Sequence, residues 1–194
     1  FSPLQNLLKA GPCLIAFDMD STLIQNEGVD ELAREMGKYE EMAKITEAAM
    51  KGEIDFGESL RSRVRLLKGL PFIRIENVRK RIQIMPGAQA WISQLSSHGH
   101  KTAVLTGGFD LLALPIISSV GADAFRMNYL AIDKGRLTGE IRGDIVDADG
   151  KAQGALEIAA KFSIPSDRII AFGDGANDIE LFKVAKLRIG MAPK

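Results

Sequence analysis

Asp18 and Asp20 lie one residue apart in "AFDMDSTL" (residues 16–23), directly behind the apolar run "CLIAF". In an extended segment residues two apart point to the same side, so the two carboxyl groups project together from a strand end. Carboxylates that close repel unless a cation stands between them or one keeps its proton. A lone Asp-x-Asp also fits a turn whose side chains bond their own backbone. A calcium-binding EF-hand loop does not fit, because its sixth and twelfth positions would be Leu23 and Val29 in place of Gly and Glu. Two further clusters add to the chemistry. "LTGGF" sets the Thr106 hydroxyl beside Gly107 and Gly108, whose amides can approach an anion closely, although a plain strand-to-helix turn has the same composition. "FGDGANDIEL" flanks Asp174 with Gly173 and Gly175 and places Asp178 one helical turn further on, where aspartates also cap helices. Lys151, after the turn-like "VDADG", is a cation such a group could use; taken alone it reads as a solvated lysine in a first helical turn. If these carboxylates meet at one point, a hard divalent cation such as Mg2+ makes the assembly tolerable, since it takes a few carboxylate oxygens together with water and phosphate.

The elements needed to bring these residues together are visible in the apolar patterning. Three short runs, "CLIAF", "TAVL" and "RIIAF", each stop at one of the clusters, and helical-period stretches such as "PGAQAWISQLSSHG" and "GKAQGALEIAAKFS" separate them. That alternation predicts a parallel sheet with crossover helices, an α/β fold. In such sheets ligands bind beyond the carboxyl ends of the strands, which is where all three clusters fall. Between the first and second strands, about residues 26 to 85 are rich in charge and helix formers, as in "GVDELAREMG", "YEEMAKITEAAMKG" and "FGESLRSRVRLLKG". A crossover needs far fewer residues, so a small helical lobe lying over the strand ends is expected. "MNYLAIDKGRLTGEIRGDIV" alternates around "DKG" and predicts a β-hairpin, with helix resuming at Lys151.

Composition narrows the partners. Twenty-five basic residues balance twenty-five acidic ones, so no overall field draws the chain to nucleic acid or an anionic membrane, and a small-molecule substrate is expected. The single cysteine, Cys13, excludes an internal disulfide framework and fits a reducing, cytoplasmic compartment, and no apolar run approaches a membrane span. The first residue is Phe and no charged leader with a cleavage site follows it, so a trimmed fragment without a signal peptide is expected. His98 and His100 flank a glycine in an expected turn, with no third ligand near, and read as surface residues.

Asp18-Met19-Asp20-Ser21-Thr22, Thr106-Gly107-Gly108-Phe109, Lys151 and Gly173-Asp174-Gly175-Ala176-Asn177-Asp178 match, in order, the motifs of the haloacid dehalogenase superfamily of phosphohydrolases. Nearly the whole chain resembles its phosphoserine phosphatase branch, and "EGVDELA", "ITEAAMKGEIDFGESLRSRV" and "LTGEIRGDIVDADGKA" make that resemblance closer. Two departures stand out: Thr106 where the branch usually has serine, and an end sixteen residues after Asp178, where relatives continue. The resemblance implies a Rossmann-like core with a parallel sheet flanked by helices (residues 1–25 and 86–194, with a hairpin flap at about 126–146) and a small helical cap inserted after the first strand (26–85). It implies Mg2+-dependent hydrolysis of O-phospho-L-serine to serine and phosphate, the last step of serine biosynthesis. Asp18 would be the nucleophile that forms an aspartyl-phosphate and Asp20 the general acid and base. Mg2+ would be held by Asp18, the Asp20 backbone carbonyl and Asp174, with Asp178 orienting that shell. Thr106, Gly107 and Gly108 would face the phosphate, Lys151 would offset charge on Asp18 and the phosphate, and Asn177 would position them. Glu27 and Arg63 would meet the ammonium and carboxylate of the substrate, with Met50 and Phe56 as an apolar wall.

Other readings use part of the same residues. A phosphotransferase, or a phosphatase of another small phosphomonoester, would share the core. A phospho-accepting receiver-type switch would use an Asp at a strand end but has no need of a leaving-group acid at Asp20, and the large lobe argues against it. A structural metal-binding protein leaves Thr106 and Lys151 without roles.

Overall fold

"LIAF", residues 14 to 17, is apolar at every position, as a strand covered on both faces must be. In the computed structural model, which describes residues 2–51 and 53–191, it forms β1 (Leu14–Phe17), buried throughout. β1 is flanked by parallel partners, β2 (Lys101–Phe109) and β5 (Ile169–Gly173). Beyond them lie β3 (Ala124–Asp133), β4 (Arg136–Arg142) and β6 (Leu187–Gly190), in the order β4-β3-β2-β1-β5-β6. Only the β3–β4 pair is antiparallel. The chain leaves β1 to one side and later returns on the other, so the carboxyl end of β1 is the point where the strand order reverses and a crevice opens.

Alternation along β1 divides the core. Ile15 and Phe17 face one layer with Trp91 and Phe172, whose rings pack with Phe17 at centroid distances of 5.1 to 5.6 Å. Leu14 and Ala16 face the opposite layer, with Ala155, Ala159 and Leu181. The first layer is built on α1 (Ser2–Lys9), α6 (Ala88–Ser97) and α7 (Asp110–Val120); the second on α8 (Ala148–Lys161) and α9 (Ile179–Val184). The helices of the inserted stretch, α2 (Gly28–Glu35), α3 (Tyr39–Met50), α4 (Phe56–Leu66) and α5 (Phe72–Arg81), bury a third apolar cluster that includes Leu32, Leu60, Val64 and Ile75.

Three sets of bonds fix this helical stretch to the sheet. Its two connecting segments pair: Ile24 bridges Ile84, Gln25 N–H donates to Gln83 at 2.8 Å and Met85 N–H to Leu23 at 2.8 Å. The α4–α5 loop pairs with the hairpin, Gly69 N–H donating to Leu137 at 2.8 Å and Leu137 N–H to Leu70 at 3.0 Å. The third follows from Pro115 inside α7. Proline has no N–H, so the carbonyl four residues earlier lacks its helical donor. That carbonyl is Leu111, and Arg79 of α5 supplies two donors instead, Nε at 2.8 Å and Nη2 at 2.6 Å.

Several expectations need correction. β2 runs through Thr106 to Phe109 instead of ending at a turn before them, with an irregular register between Leu105 and Phe109. Helix resumes at Ala148, three residues before Lys151, because Asp147 caps it by accepting from Gly150 N–H at 2.8 Å. The hairpin forms, turning at Lys134 and Gly135, both at positive φ, but β3 also extends the parallel sheet alongside β2. His98 is exposed as expected; His100 is buried, because its Nδ1 accepts from Cys13 N–H at 3.2 Å where β1 begins.

Candidate active site

Past Phe17 the chain keeps one more sheet contact, Asp18 N–H donating to Phe172 at 2.9 Å, and then turns sharply. The Met19 carbonyl accepts from Thr22, Leu23 and Ile24, and Ser21 takes φ of +54°, an uncommon conformation for a residue with a Cβ. The turn leaves the Asp18 side chain buried at the strand end, with Met19 N–H donating to its Oδ1 at 2.7 Å. Lys151 reaches the same oxygen at 2.8 Å and Asp178 Oδ1 at 2.8 Å, and all three side chains are almost wholly inaccessible. Lys151 is not the solvated lysine that its segment taken alone suggests: it lies in the first turn of α8, buried, with two carboxylates holding its ammonium. Burial pulls the Lys151 pKa down, but Asp18 and Asp178 pull it up further, so the ammonium stays charged.

Asp178 is anchored in turn. Its Oδ2 accepts from the amides of Asp174 (3.1 Å) and Gly175 (3.3 Å). A Cβ on Gly173 would stand 2.3 Å from that carboxylate oxygen, so only glycine lets Asp178 pack there. Asp18, Asp174 and Asp178 each place a carboxylate oxygen within 4.8 Å of the others. Three carboxylates face a single lysine, and this excess of hard oxygen donors over positive charge fits a divalent cation of the oxygen-seeking kind. Asp18 shows the strain: burial above all, opposed by Lys151 and reinforced by Asp178, lifts its pKa to about 6.

Asp20 points to a different place. Its Oδ1 accepts from Gly28 N–H at 2.6 Å, at the start of α2. Its other oxygen lies 3.1 Å from where a Cβ on Gly108 would be, so glycine there lets the carboxyl group stand against β2. Burial, then the charges of Asp18 and Glu27, raise its pKa to about 7, against the pull of the Gly28 amide. Near neutral pH, Asp20 is therefore a carboxyl group that can hold a proton beside one that is more readily ionised.

The helical stretch adds charges of both signs. Glu27 accepts from the Ser21 hydroxyl at 2.8 Å. Arg63 is partly buried on α4, and its Nε has no hydrogen-bond partner among the described residues. Burial lowers its pKa against the opposing pull of Asp30, Glu27 and Asp20. Phe56, also on α4, brings its ring edge 3.6 Å from where a Cβ on Gly107 would be. Thr106 is fully buried, with Oγ1 accepting from Gly108 N–H at 2.8 Å.

Of the residues singled out from the sequence, Asp18, Lys151, Asp174 and Asp178 meet at the strand end, Asp20, Glu27 and Arg63 lie close enough to influence one another's charge, and Phe56, Thr106, Gly107 and Gly108 come together along the end of β2. Asn177 is exposed, its Oδ1 folded to 2.6 Å from where a Cβ on Gly175 would be. The Met50 side chain lies outside the described residues. Two further polar residues touch these groups: Ser21, in the turn after Asp20, donates to Glu27, and the buried Asn128 donates to the Gly107 carbonyl. A hydroxyl or an amide carries no charge pattern to mark it, although Ser21 stands within the Asp-rich motif itself.

Comparison with known proteins agrees with this arrangement. Residues 15–183 match the family model described as haloacid dehalogenase-like hydrolase. A phosphoserine phosphatase of Methanocaldococcus jannaschii is 43% identical over 181 residues, 93% of this chain and 86% of that protein. One from Archaeoglobus fulgidus is 46% identical over the same share of this chain, which spans 53% of the length of that relative. A solved structure of a phosphoserine phosphatase described as a phospho-aspartyl intermediate analogue superimposes with a TM-score of 0.88 at 42% identity, covering 95% of this chain and 88% of the other. The chain belongs to the haloacid dehalogenase-like hydrolase family.

Proposed function

We propose that the protein is a Mg2+-dependent phosphoserine phosphatase, hydrolysing O-phospho-L-serine to L-serine and phosphate through a phosphorylated Asp18. The observation that carries this reading is the pairing of two sites in one crevice. A buried nucleophile-and-lysine group at the strand ends faces a carboxylate and a guanidinium, Glu27 and Arg63, on the helical stretch. A phosphomonoester of an amino acid presents the matching charges: phosphate at one end, ammonium and carboxylate at the other. The Arg63 Nε, which no described residue accepts from, supports a bound acceptor there, and the names of the similar proteins support the same substrate. In this reading residues 26–85 act as the cap and the remainder as the catalytic core, and the enzyme works in the cytoplasm.

The mechanism follows from which oxygens are engaged. Hydrogen bonds from Met19 and Lys151 fall on Asp18 Oδ1, so Oδ2 is the oxygen that attacks phosphorus. The bond from phosphorus to the serine oxygen breaks as the Asp18–phosphorus bond forms, and Asp20 gives its proton to the departing alkoxide. Water then attacks the same phosphorus, Asp20 takes a proton from it, and Asp18 leaves as a carboxylate. Lys151 holds Asp18 in place and balances its charge, while Thr106, Gly107 and Gly108 face the phosphoryl oxygens and Asn177 lies at their rim. Asp18, Asp174 and the Asp20 backbone carbonyl would hold Mg2+, with Asp178 orienting them; when bound, the ion supplies positive charge to the phosphoryl oxygens. Met50 and Phe56 would close over the short serine side chain.

The test is phosphate release from O-phospho-L-serine against a panel of small phosphomonoesters, with Mg2+ and with a chelator. Strong preference for phosphoserine that requires the divalent ion is expected. Equal turnover of the whole panel would remove the substrate assignment and leave a general phosphatase.

A further inference from the structure

Thr106, Gly107 and Gly108 form the phosphate-facing stretch of β2 in the reading above, yet the sheet ladder does not hold them. β2 is in register with β3 at Leu105 and Arg126 and next at Phe109 and Asn128, so three residues of β2 stand opposite Met127 alone. On its other side β2 pairs with β1 only as far as Val104. Two adjacent glycines have the least intrinsic restriction on φ and ψ, so outside a ladder their backbone needs other contacts to hold one conformation. Two side chains substitute for the missing ladder. Thr106 Oγ1 accepts from Gly108 N–H at 2.8 Å, and Asn128 Nδ2 donates to the Gly107 carbonyl at 2.9 Å. Both polar groups of the Gly107–Gly108 peptide are therefore occupied, which fixes the plane of that peptide.

Asn128 is fully inaccessible and makes two more bonds. Its Nδ2 reaches the Val146 carbonyl at 3.3 Å, and its Oδ1 accepts from Val146 N–H at 2.8 Å. Val146 immediately precedes Asp147, the cap of α8, whose first turn carries Lys151. One amide group thus joins the 106–108 stretch to the segment that launches the lysine. Its two donors and its carbonyl oxygen are all in use, and no other neutral side chain of that size offers both functions.

We infer that Asn128 is a positioning residue for phosphate recognition, setting the Thr106–Gly108 backbone at a fixed distance from Lys151. The inference rests on the proposed phosphatase reading for the identity of the anion. Asn128→Leu keeps the approximate volume and removes all three bonds without adding charge. Inhibition by inorganic phosphate should weaken roughly ten-fold or more, and kcat/KM for phosphoserine and for an aryl phosphate should fall together. Inhibition by L-serine should stay within about two-fold, and Asn128→Gln, which retains an amide, should recover part of the phosphate affinity. Phosphate and serine constants that weaken equally, or a phosphate constant that does not change, would overturn the inference. A second measurement needs no substitution: the slowly exchanging asparagine side-chain amide in a 15N spectrum should shift on adding inorganic phosphate and not on adding L-serine. An unmoved signal at saturating phosphate would overturn it too. Phosphate binding is read without turnover, so a wild-type protein that ignores phosphoserine but binds phosphate loses only the substrate assignment. A protein that binds no phosphate loses both.

Discussion

The strand ends and the helical face opposite them differ in how complete they are. Asp18, Lys151 and Asp178 form a closed set: each is almost inaccessible, and the lysine lies 2.8 Å from an oxygen of each carboxylate. Across the crevice, Arg63 is partly buried with an Nε that no described residue accepts from, and Phe56 is 37% exposed. The first region is organised before substrate arrives, as a site that must stabilise developing charge should be. The second is left for the substrate to finish, as a site that must tell one small ester from another should be, because a missing partner there leaves a buried donor unpaired. Chemistry and selectivity are accordingly expected to separate on mutation.

The largest contrast should come from Asp20→Asn. With phosphoserine, kcat should fall by roughly 10²- to 10⁴-fold, since the alkoxide leaves without its proton. With an aryl phosphate the leaving group needs no proton, so a burst of about one equivalent of phenol followed by slow turnover is expected in stopped-flow traces. A uniform slowing without a burst would show that Asp20 does not divide the two steps. Arg63→Ala should cost roughly 10²-fold in kcat/KM for phosphoserine and only a few-fold for the aryl phosphate. Comparable losses on both would place Arg63 in the chemistry instead of in selection.

Stability gives a third test, with a definite sign. The folded protein holds the Asp20 carboxyl group at a pKa of about 7, well above its ordinary 3.8. The fold therefore binds that proton more tightly than the unfolded chain does; the resulting stability is full below about pH 4 and lost as pH rises to about 7. Asn mimics the protonated form and still accepts from Gly28. In a chelator, Asp20→Asn should match wild type near pH 4 and exceed it at pH 8 by on the order of 2 to 4 kcal/mol in urea melts. Equal stability at both pH values would contradict the raised pKa. The smallest effect is expected from Ser21→Ala, which frees Glu27 from the 2.8 Å hydroxyl bond: a few-fold rise in KM for phosphoserine with kcat nearly unchanged, read from initial rates.

The same contrast governs what could be read from the sequence. β1 and β5 were legible as short unbroken apolar runs, and Asp18, Asp174 and Asp178 as acidic clusters behind them, because both faces of a central strand are buried and its end opens on the crevice. The course of β2 was not, since Thr106-Gly107-Gly108 looks like a turn by composition, and it is held along the sheet by the ladder on either side together with Asn128 and the Thr106 hydroxyl. Helix α7 fits the strand-to-helix turn that "LTGGF" suggests, but its own sequence carries no helical period: Pro115 and an almost continuous apolar run hide it, and Arg79, thirty-six residues earlier in the chain, is what satisfies the carbonyl that proline leaves open. The depth of Lys151 and of His100 likewise depends on partners distant in the chain, Asp18 and Cys13, that no local pattern announces.

In this mechanism Asp18 becomes covalently phosphorylated. Wild-type protein and Asp20→Asn, each mixed with O-phospho-L-serine and Mg2+, quenched in acid within the first turnovers and digested, should both yield a phosphoryl group on the peptide containing Asp18. It should be labile to hydroxylamine, as an acyl phosphate is, and, when an aryl phosphate replaces phosphoserine, more abundant in Asp20→Asn, because with a leaving group that needs no proton only the second step is slowed. Phosphate released with no enzyme-bound phosphoryl group at any quench time, or an acid-stable, hydroxylamine-resistant group on Ser21 or Thr22, would exclude Asp18 as the nucleophile.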